Sequence, residues 1–296
     1  MLMDRLFEPI DNRIVYHYCS AETMKVILES AKLRFTDINM LNDIQETRWG
    51  YSAFEEAATR LIKRKDLPET TPEITVAFCD SVDEILSKGQ MIVHPFVTCF
   101  SLDGDSLPQW RAYADDGRGL AIGFRASKIL ELPLTMLAVE YDREKQIKEM
   151  MQALVAVHFR KNAVEQSERD KVFEDCVLMA TYMTAFKHDT FIHEREIRCV
   201  HTVRVKRVGE NMRFVDLGGL NPEGSRVPPS PIFFQVRDNH LSAYLDMPFA
   251  GPDNEPTIAE VVLGPKNFSN FGNIFLFLGA LGYSDVVLKK SRAPYR

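Results

Sequence analysis

Short runs of β-branched and aromatic residues recur along the chain, each bounded by polar residues, glycine or proline, and they predict β-strands. The predicted strands cover residues 14–19, 33–36, 96–100, 120–124, 136–141, 191–200, 258–263 and 285–288. Apolar residues at helical spacing predict helices between these strands. The predicted helices cover residues 21–29, about 43–64, 81–88, 143–163, 165–187 and 271–281.

Two long amphipathic patterns follow one another between residues 143 and 187. The apolar stripe of the first consists of Ile147, Met150, Met151, Leu154 and Val155. Because the break near residue 162 is short, we expect an antiparallel helix pair. Strands and helices do not alternate regularly, so the pattern predicts an α+β fold with a mixed, mostly antiparallel sheet and flanking helices. We expect a single domain over residues 1–296, with about 143–187 as a helical insertion.

The composition is that of an ordinary globular protein, with 45% hydrophobic and 26% charged residues. Lysine and arginine number 36 against 42 aspartates and glutamates, and a net charge of −6 argues against a general nucleic-acid surface. The five cysteines lack Cys-x-x-Cys spacing, which favours reduced thiols in a cytoplasmic protein. No apolar run approaches the roughly 18 residues of a membrane span, so we expect no membrane association.

Residues 96–124 contain two of the predicted strands, joined by a polar segment that carries Trp110 and Tyr113. Tryptophan and tyrosine combine a large apolar body with a polar group, so this pair in a loop is typical of a pocket wall. Two aromatic residues three positions apart also dock a short helix onto a core. Both interpretations stay open. Gly117, Gly119 and Gly123 precede a strand and are interpreted as turn residues.

Three charged residues alternate in the predicted strand 191–200: Glu194, Glu196 and Arg198. In an extended chain they project from one face, where burial is costly unless the charges are paired or used. The pattern fits an ion-paired surface ladder or a carboxylate pair in a cleft, where proximity separates the two pKa values. His193 and Glu194 are not part of a His-Glu-x-x-His motif, and we expect no metal site.

Six segments resemble the bacterial family catalogued as domain of unknown function 2971. They are IVYHYCS (14–20), LRFTDINMLNDIQE (33–46), FVTCFSLDGDSLPQWRAYADDGRGLAIGF (96–124), VEYD (139–142), FKHDTFIHEREIRCV (186–200) and IAEVVLGP (258–265). The resemblance spans nearly the whole chain, and its most specific parts are the Trp110 block and the Glu-x-Glu-x-Arg segment. The family name implies no activity.

The order of these segments also resembles an ADP-ribosyltransferase-type fold, in which a first-strand histidine, a middle strand and a late glutamate surround NAD. That resemblance implies a transferase that uses NAD as substrate, with a toxin or phage-defence effector as the expected setting. It implies Glu196 as the catalytic carboxylate, Glu194 as the base that activates the acceptor, and Arg198 beside them. It also implies NAD contacts from His17, Tyr18, Ser101, Trp110 and Tyr113. The Thr98–Ser101 segment departs from the usual Ser-Thr-Ser pattern of that class.

Two other functions remain open. One is a non-catalytic module whose Trp110 and Tyr113 pocket binds a small-molecule ligand or a partner chain. The other is a magnesium-dependent nuclease with Asp43, Glu46, Glu194 and Glu196 as oxygen ligands. The sequence leaves the oligomeric state and the acceptor, whether protein or nucleic acid, unspecified.

Overall fold

The computed structural model describes residue 6 and residues 13–40, 44–64, 67–89, 92–221, 224–237, 239–251 and 256–295. The first half of the chain alternates short strands and helices. These are β1 (Ile14–Cys19), α1 (Ala21–Ser30), β2 (Lys32–Asp37), α2 (Ile44–Lys63), α3 (Val76–Gly89), β3 (Val93–Ser101), α4 (Leu107–Tyr113), β4 (Leu120–Arg125), α5 (Ala126–Ile129) and β5 (Thr135–Ala138). A 3-10 turn, Ile38–Met40, follows β2.

The second half begins with helices and ends mainly in strands. These are α6 (Arg143–Lys161), α7 (Gln166–Arg169), α8 (Val172–Met183), β6 (Glu196–Val208), β7 (Asn211–Val215), β8 (Gly219–Leu220), β9 (Arg226–Val227), β10 (Ile232–Arg237), β11 (His240–Pro248), β12 (Ile258–Leu263), α9 (Phe271–Ala280) and β13 (Val287–Lys290). A 3-10 helix, Asp189–Glu194, lies between α8 and β6.

Most of the described strands form one sheet in the order β10-β11-β2-β3-β1-β4-β12-β13. Strand β6 lies along the other edge of β3 and also pairs with β5 and β7. Strands β12 and β13 are parallel, whereas the other pairs in this sheet are antiparallel. The predicted α+β class with a mostly antiparallel sheet is therefore confirmed. None of the helices in the described ranges has both the length and the hydrophobicity needed to cross a membrane.

The sheet separates two hydrophobic cores, and alternation along the strands decides which core each side chain enters. Phe96 and Phe100 of β3 face the first core, together with Ile197 of β6, α1 and α9. Val97 and Val200 face the second core, which contains the buried sides of α2, α3, α6 and α8. The candidate site residues discussed below lie at the border of this second, helix-covered face.

The antiparallel helix pair predicted for residues 143–187 is present, although its second member is interrupted. Gln146 near the start of α6 donates to the Lys187 carbonyl beyond the end of α8, at 2.9 Å. Arg160 near the end of α6 pairs with Asp175 in the first turn of α8. These contacts at opposite ends establish the antiparallel arrangement. The helix expected over 165–187 consists of the single turn α7 and the twelve-residue helix α8.

The strand predicted over residues 191–200 is wrong in its first half. Residues 189–194 form the 3-10 helix, and β6 begins only at Glu196 and then runs for thirteen residues. Arg195 separates the two elements because its backbone adopts the left-handed conformation, with φ of 45°. Glu196 and Arg198 therefore share one face of β6 as predicted, whereas Glu194 lies in the 3-10 helix before this strand.

Candidate functional site

The site is built on the pairing of β3 with β6, which places charged and polar residues from distant parts of the chain side by side. Ser101 lies directly opposite Glu196, and Cys99 lies opposite Arg198. Directly opposed residues in an antiparallel pair project from the same face, here the one covered by helices. Ser101 also lies opposite Tyr16 of β1, so three strands meet at this point.

Two acidic and two basic side chains form a buried charged cluster consisting of Lys187, Glu194, Glu196 and Arg198. The Lys187 ammonium donates to Glu194 Oε2 at 2.5 Å and to Glu196 Oε2 at 3.1 Å. Arg198 contacts the other oxygen of Glu196 through Nε at 2.8 Å and Nη2 at 2.7 Å. The charges balance within the cluster, which is the condition under which ionised groups are tolerated away from water.

Backbone and tyrosine groups complete the surroundings of Glu196 and Arg198. The Glu196 N–H donates to the Tyr141 hydroxyl at 2.9 Å, and Arg198 Nη1 donates to the Thr184 carbonyl at the end of α8. The Glu196 backbone is thus tied to the segment that precedes α6, and the Arg198 side chain is tied to the end of α8. This packing holds the Glu196 carboxylate in a defined position.

Glu194 lies nearest the surface of this cluster. Its carboxylate accepts a hydrogen bond from the Tyr113 hydroxyl at 3.0 Å, and Tyr113 is 38% exposed. Its backbone carbonyl accepts from Ser101 Oγ at 2.7 Å and from Gln109 Nε2 at 3.4 Å. Helix α4 therefore places Tyr113 at the solvent-facing edge of the cluster, which we call the rim. Glu194 lies between Tyr113 at this rim and the buried Lys187.

Electrostatics favour the ionised form of Glu196 and the protonated form of Tyr113. Burial acts to raise the pKa of Glu196, but the charges of Arg198 and Lys187, with hydrogen bonds from Cys99 and Arg198, lower it to about 2. Burial and the Glu194 carboxylate raise the pKa of Tyr113. Glu196 is therefore an anion, and Tyr113 is a hydrogen-bond donor.

The structure places His17 away from the charged cluster. Its ring packs edge-on against Phe100, with centroids 5.9 Å apart, and Nδ1 donates to the Cys99 carbonyl at 3.1 Å. Phe100 belongs to the core on the sheet face opposite Glu196. Burial lowers the pKa of His17 and disfavours its charged form. His17 therefore does not join the charged cluster, because the parity of β1 directs it away.

The Trp110 side chain, which was predicted to line a pocket, is 0% exposed. It packs edge-on against Tyr18 at 4.7 Å and donates from Nε1 to Asp105 at 2.8 Å. The Tyr18 hydroxyl donates to the Asp103 carbonyl at 2.7 Å and accepts from the Ser106 N–H at 2.9 Å. Trp110 and Tyr18 thus anchor α4 and the preceding loop, and of the aromatic pair only Tyr113 reaches the cluster.

Lys187 is the residue that sequence reasoning missed, although it contacts both carboxylates. It lies beyond the end of α8 and is 4% exposed. The signal available in the sequence was indirect, since two buried carboxylates beside a single arginine require a further cation. Asp43 and the Glu46 side chain lie outside the described residues, so the magnesium site remains a prediction. The described residues contain no group of three or more His, Cys, Asp or Glu able to hold a metal ion.

Comparison with known families singles out the region that carries the cluster. Residues 109–199 match the family model described as Protein of unknown function (DUF2971). The match covers about a third of the chain, from α4 to the first residues of β6. The resemblance to DUF2971 is thus confirmed over a segment that includes Tyr113 and the whole charged cluster. No curated protein and no solved structure matches the chain.

Proposed function

We propose that the chain is an ADP-ribosyltransferase-type enzyme that uses NAD at the rim formed by Tyr113, Glu194 and Glu196. The observation that supports this proposal is the register of β3 and β6, which places Ser101 beside an ionised Glu196. The resemblance to this class of enzymes requires a polar middle strand beside a late-strand glutamate. Residues from both strands lie on the same face here.

The proposed roles follow from the contacts of each side chain. Glu196 supplies negative charge to the ribose carbon as the glycosidic bond breaks and the bonding electrons leave with nicotinamide. Arg198 and Lys187 are positioning residues, since they hold the two oxygens of Glu196. Glu194 takes the proton of the attacking acceptor, and Tyr113 orients Glu194 through its hydroxyl.

This assignment differs from the sequence-based one in its NAD contacts. His17 and Trp110 are excluded from it, because one faces the opposite core and the other is enclosed behind α4. Tyr18 has an indirect role, because its hydroxyl fixes the backbone of Asp103 and Ser106 in the loop before α4. The contacts proposed for NAD are therefore provided by Tyr113 and by the loop between β3 and α4, and Ser101 acts by holding the backbone of Glu194 and Asp103.

A nicotinamide-release assay tests the proposal. Wild-type protein incubated with NAD should release nicotinamide, and Tyr113→Phe should reduce the rate because Glu194 loses its hydroxyl partner. Tyr51→Phe is the matched control, since the Tyr51 hydroxyl makes an equivalent bond to Asp83 at 2.6 Å outside the cluster. Absence of nicotinamide release with any acceptor mixture, or equal rates for the two variants, would contradict the enzymatic role.

Binding of a small ligand without catalysis is the second candidate, and the internal charge balance of the cluster favours it. Each carboxylate already has a cationic partner, so the cluster is electrostatically complete without a substrate. Under this alternative NAD, or another small molecule, raises the melting temperature of the wild type but is recovered unchanged. The two candidates are separated by measuring binding and turnover on the same sample.

The proposed setting as a toxin or phage-defence effector has its own test. Induced expression in a bacterial host should slow growth for the wild type and to a smaller extent for Tyr113→Phe. Equal growth of cells expressing wild type and Tyr113→Phe, with equal protein levels, would argue against an activity that depends on this rim.

A further inference from the structure

A separate cavity lies beneath the helices, on the second core side of Arg198. It provides about 80 Å³ between α3, α8 and the paired strands β3 and β6, and it opens to solvent where the exposed residues Asn39 and Thr202 line it. Its wall is mainly hydrophobic, and the principal apolar residues are Ile38, Ile85, Leu86, Val93, Val177 and Met183. We call this space the inner cavity. It is distinct from the rim at Tyr113, which does not line it.

The inner cavity has room for more than one water molecule. On a comparable measure, roughly 10–15 Å³ is enough to hold one water molecule. Interiors are otherwise packed about as densely as organic crystals, and unfilled space deprives the wall of dispersion contacts. A molecule larger than water therefore gains contacts on several sides when it enters.

Most polar side chains on the wall already have partners within the protein, among them His94, whose ring bonds to Asp37 at 2.7 Å. Thr181 Oγ1 donates to the Val177 carbonyl at 3.0 Å, and Thr184 Oγ1 donates to the Thr181 carbonyl at 2.6 Å. The Tyr51 hydroxyl is bound to Asp83. An ordered water needs two to four polar partners, which this wall does not offer with comparable strength. The lining thus favours an apolar occupant over water.

Arg198, the charged residue on the wall, also favours an uncharged ligand. The Arg198 guanidinium directs Nε and Nη2 to Glu196 and Nη1 to the Thr184 carbonyl. An anionic ligand would have to compete with Glu196 and would lie close to its negative charge. A cationic ligand would meet Arg198 itself. Uncharged molecules avoid both costs.

We propose that the inner cavity is a binding site for a small, uncharged, apolar molecule about the size of one aromatic ring. The site is built from the gap between α3 and α8 over the β3–β6 pair, and it is independent of the proposed use of NAD. Its occupant would contact Arg198, which lines the cavity. It would therefore lie against one member of the charged cluster.

Benzene is a suitable probe, with benzoate as its charged counterpart. Saturating benzene should raise the melting temperature of the wild type by several degrees, because a ligand that binds only the native state stabilises it. Benzoate should produce no comparable shift. Ala180→Leu and Ile85→Phe, which extend opposite walls into the cavity, should abolish the response to benzene. Ala156→Leu, on the exposed side of α6, is the matched control and should keep it.

Each outcome bears on the proposal. A benzene response in the wild type and Ala156→Leu that is lost in either wall variant supports it, so one folded wall variant is sufficient. No response in the wild type, an unchanged response in both wall variants, or a larger shift with benzoate than with benzene would overturn the site or its ligand class.

Discussion

Replacing Glu196 by glutamine should destabilise the folded protein, and the size of the effect follows from its surroundings. Glu196 is 5% exposed and contacts Lys187 and Arg198, whose side chains are 5% and 1% exposed. Glutamine keeps the shape but removes the negative charge, so the cluster acquires one unbalanced buried positive charge. Removing one member of a buried pair typically costs about 3–5 kcal/mol.

Urea denaturation followed by far-UV circular dichroism measures this cost as a change in the free energy of unfolding. Glu260→Gln is the matched control, because Glu260 is equally buried but its partner Lys289 has a side chain that is 52% exposed. Water can solvate Lys289 after the substitution, so the control should cost about 1 kcal/mol. Adding Lys187→Met to Glu196→Gln removes the surplus charge and should recover part of the loss.

The same prediction has a defined pH dependence. The pKa of Glu196 is lowered to about 2 in the folded protein, against roughly 4.3 for an unfolded glutamate. Its contribution is therefore complete above the unfolded value and is lost as the pH falls through the folded value. Wild type should lose stability between these limits, and Glu196→Gln should lack that component. A cost below about 1 kcal/mol, or equal costs for Glu196→Gln and Glu260→Gln, would refute the buried-cluster reasoning.

Three further predictions concern residues outside the cluster. Trp110→Ala should cost about 3–5 kcal/mol in unfolding free energy as a large core truncation; preferential loss of NAD binding with unchanged stability would contradict its burial. His201 donates to two acceptors, one of them Asp216, and its pKa is raised although burial opposes this. Its stabilising contribution should be complete below about pH 6.5 and lost as the pH rises through its folded pKa. The free energies of unfolding of wild type and His201→Gln, measured against pH, should therefore converge at high pH. A difference that stays constant with pH would contradict this prediction. Gly119→Ala should lower the melting temperature because its methyl group overlaps a β1 carbonyl, whereas Gly279→Ala in α9 meets open space and should gain up to about 1 kcal/mol.

The secondary structure was predictable where buried strands have a simple hydrophobic pattern. Residues 258–263 form β12 as predicted, and each residue of that strand is buried. The hairpin of β10 and β11 was missed because its hydrophobic residues do not mark a buried face. Phe233, Phe234 and Val236 are 47%, 58% and 73% exposed. Such a strand is defined by its pairing partner, which local sequence does not reveal.

The candidate site was only partly predictable, for a related reason. The proximity of Glu194, Glu196 and Arg198 follows from their spacing, so it was available from the sequence. Lys187 joins them only because a 3-10 helix and a left-handed residue reverse the local path of the chain. The direction of His17 depends on its register against neighbouring strands. Such contacts depend on which strands pair and in which register, and the hydrophobic periodicity of the sequence does not contain that information.

The charged cluster also selects the alignment of β6 on β3. If β6 slipped by one residue, Glu196 and Arg198 would turn towards the aromatic core that contains Phe96 and Phe100. Lys187 would remain without its second carboxylate, and each charge would be dehydrated without compensation. A purely hydrophobic strand would tolerate several alignments with small differences in energy. Here the charges penalise alignments shifted by an odd number of residues, so the cluster contributes to the uniqueness of the fold.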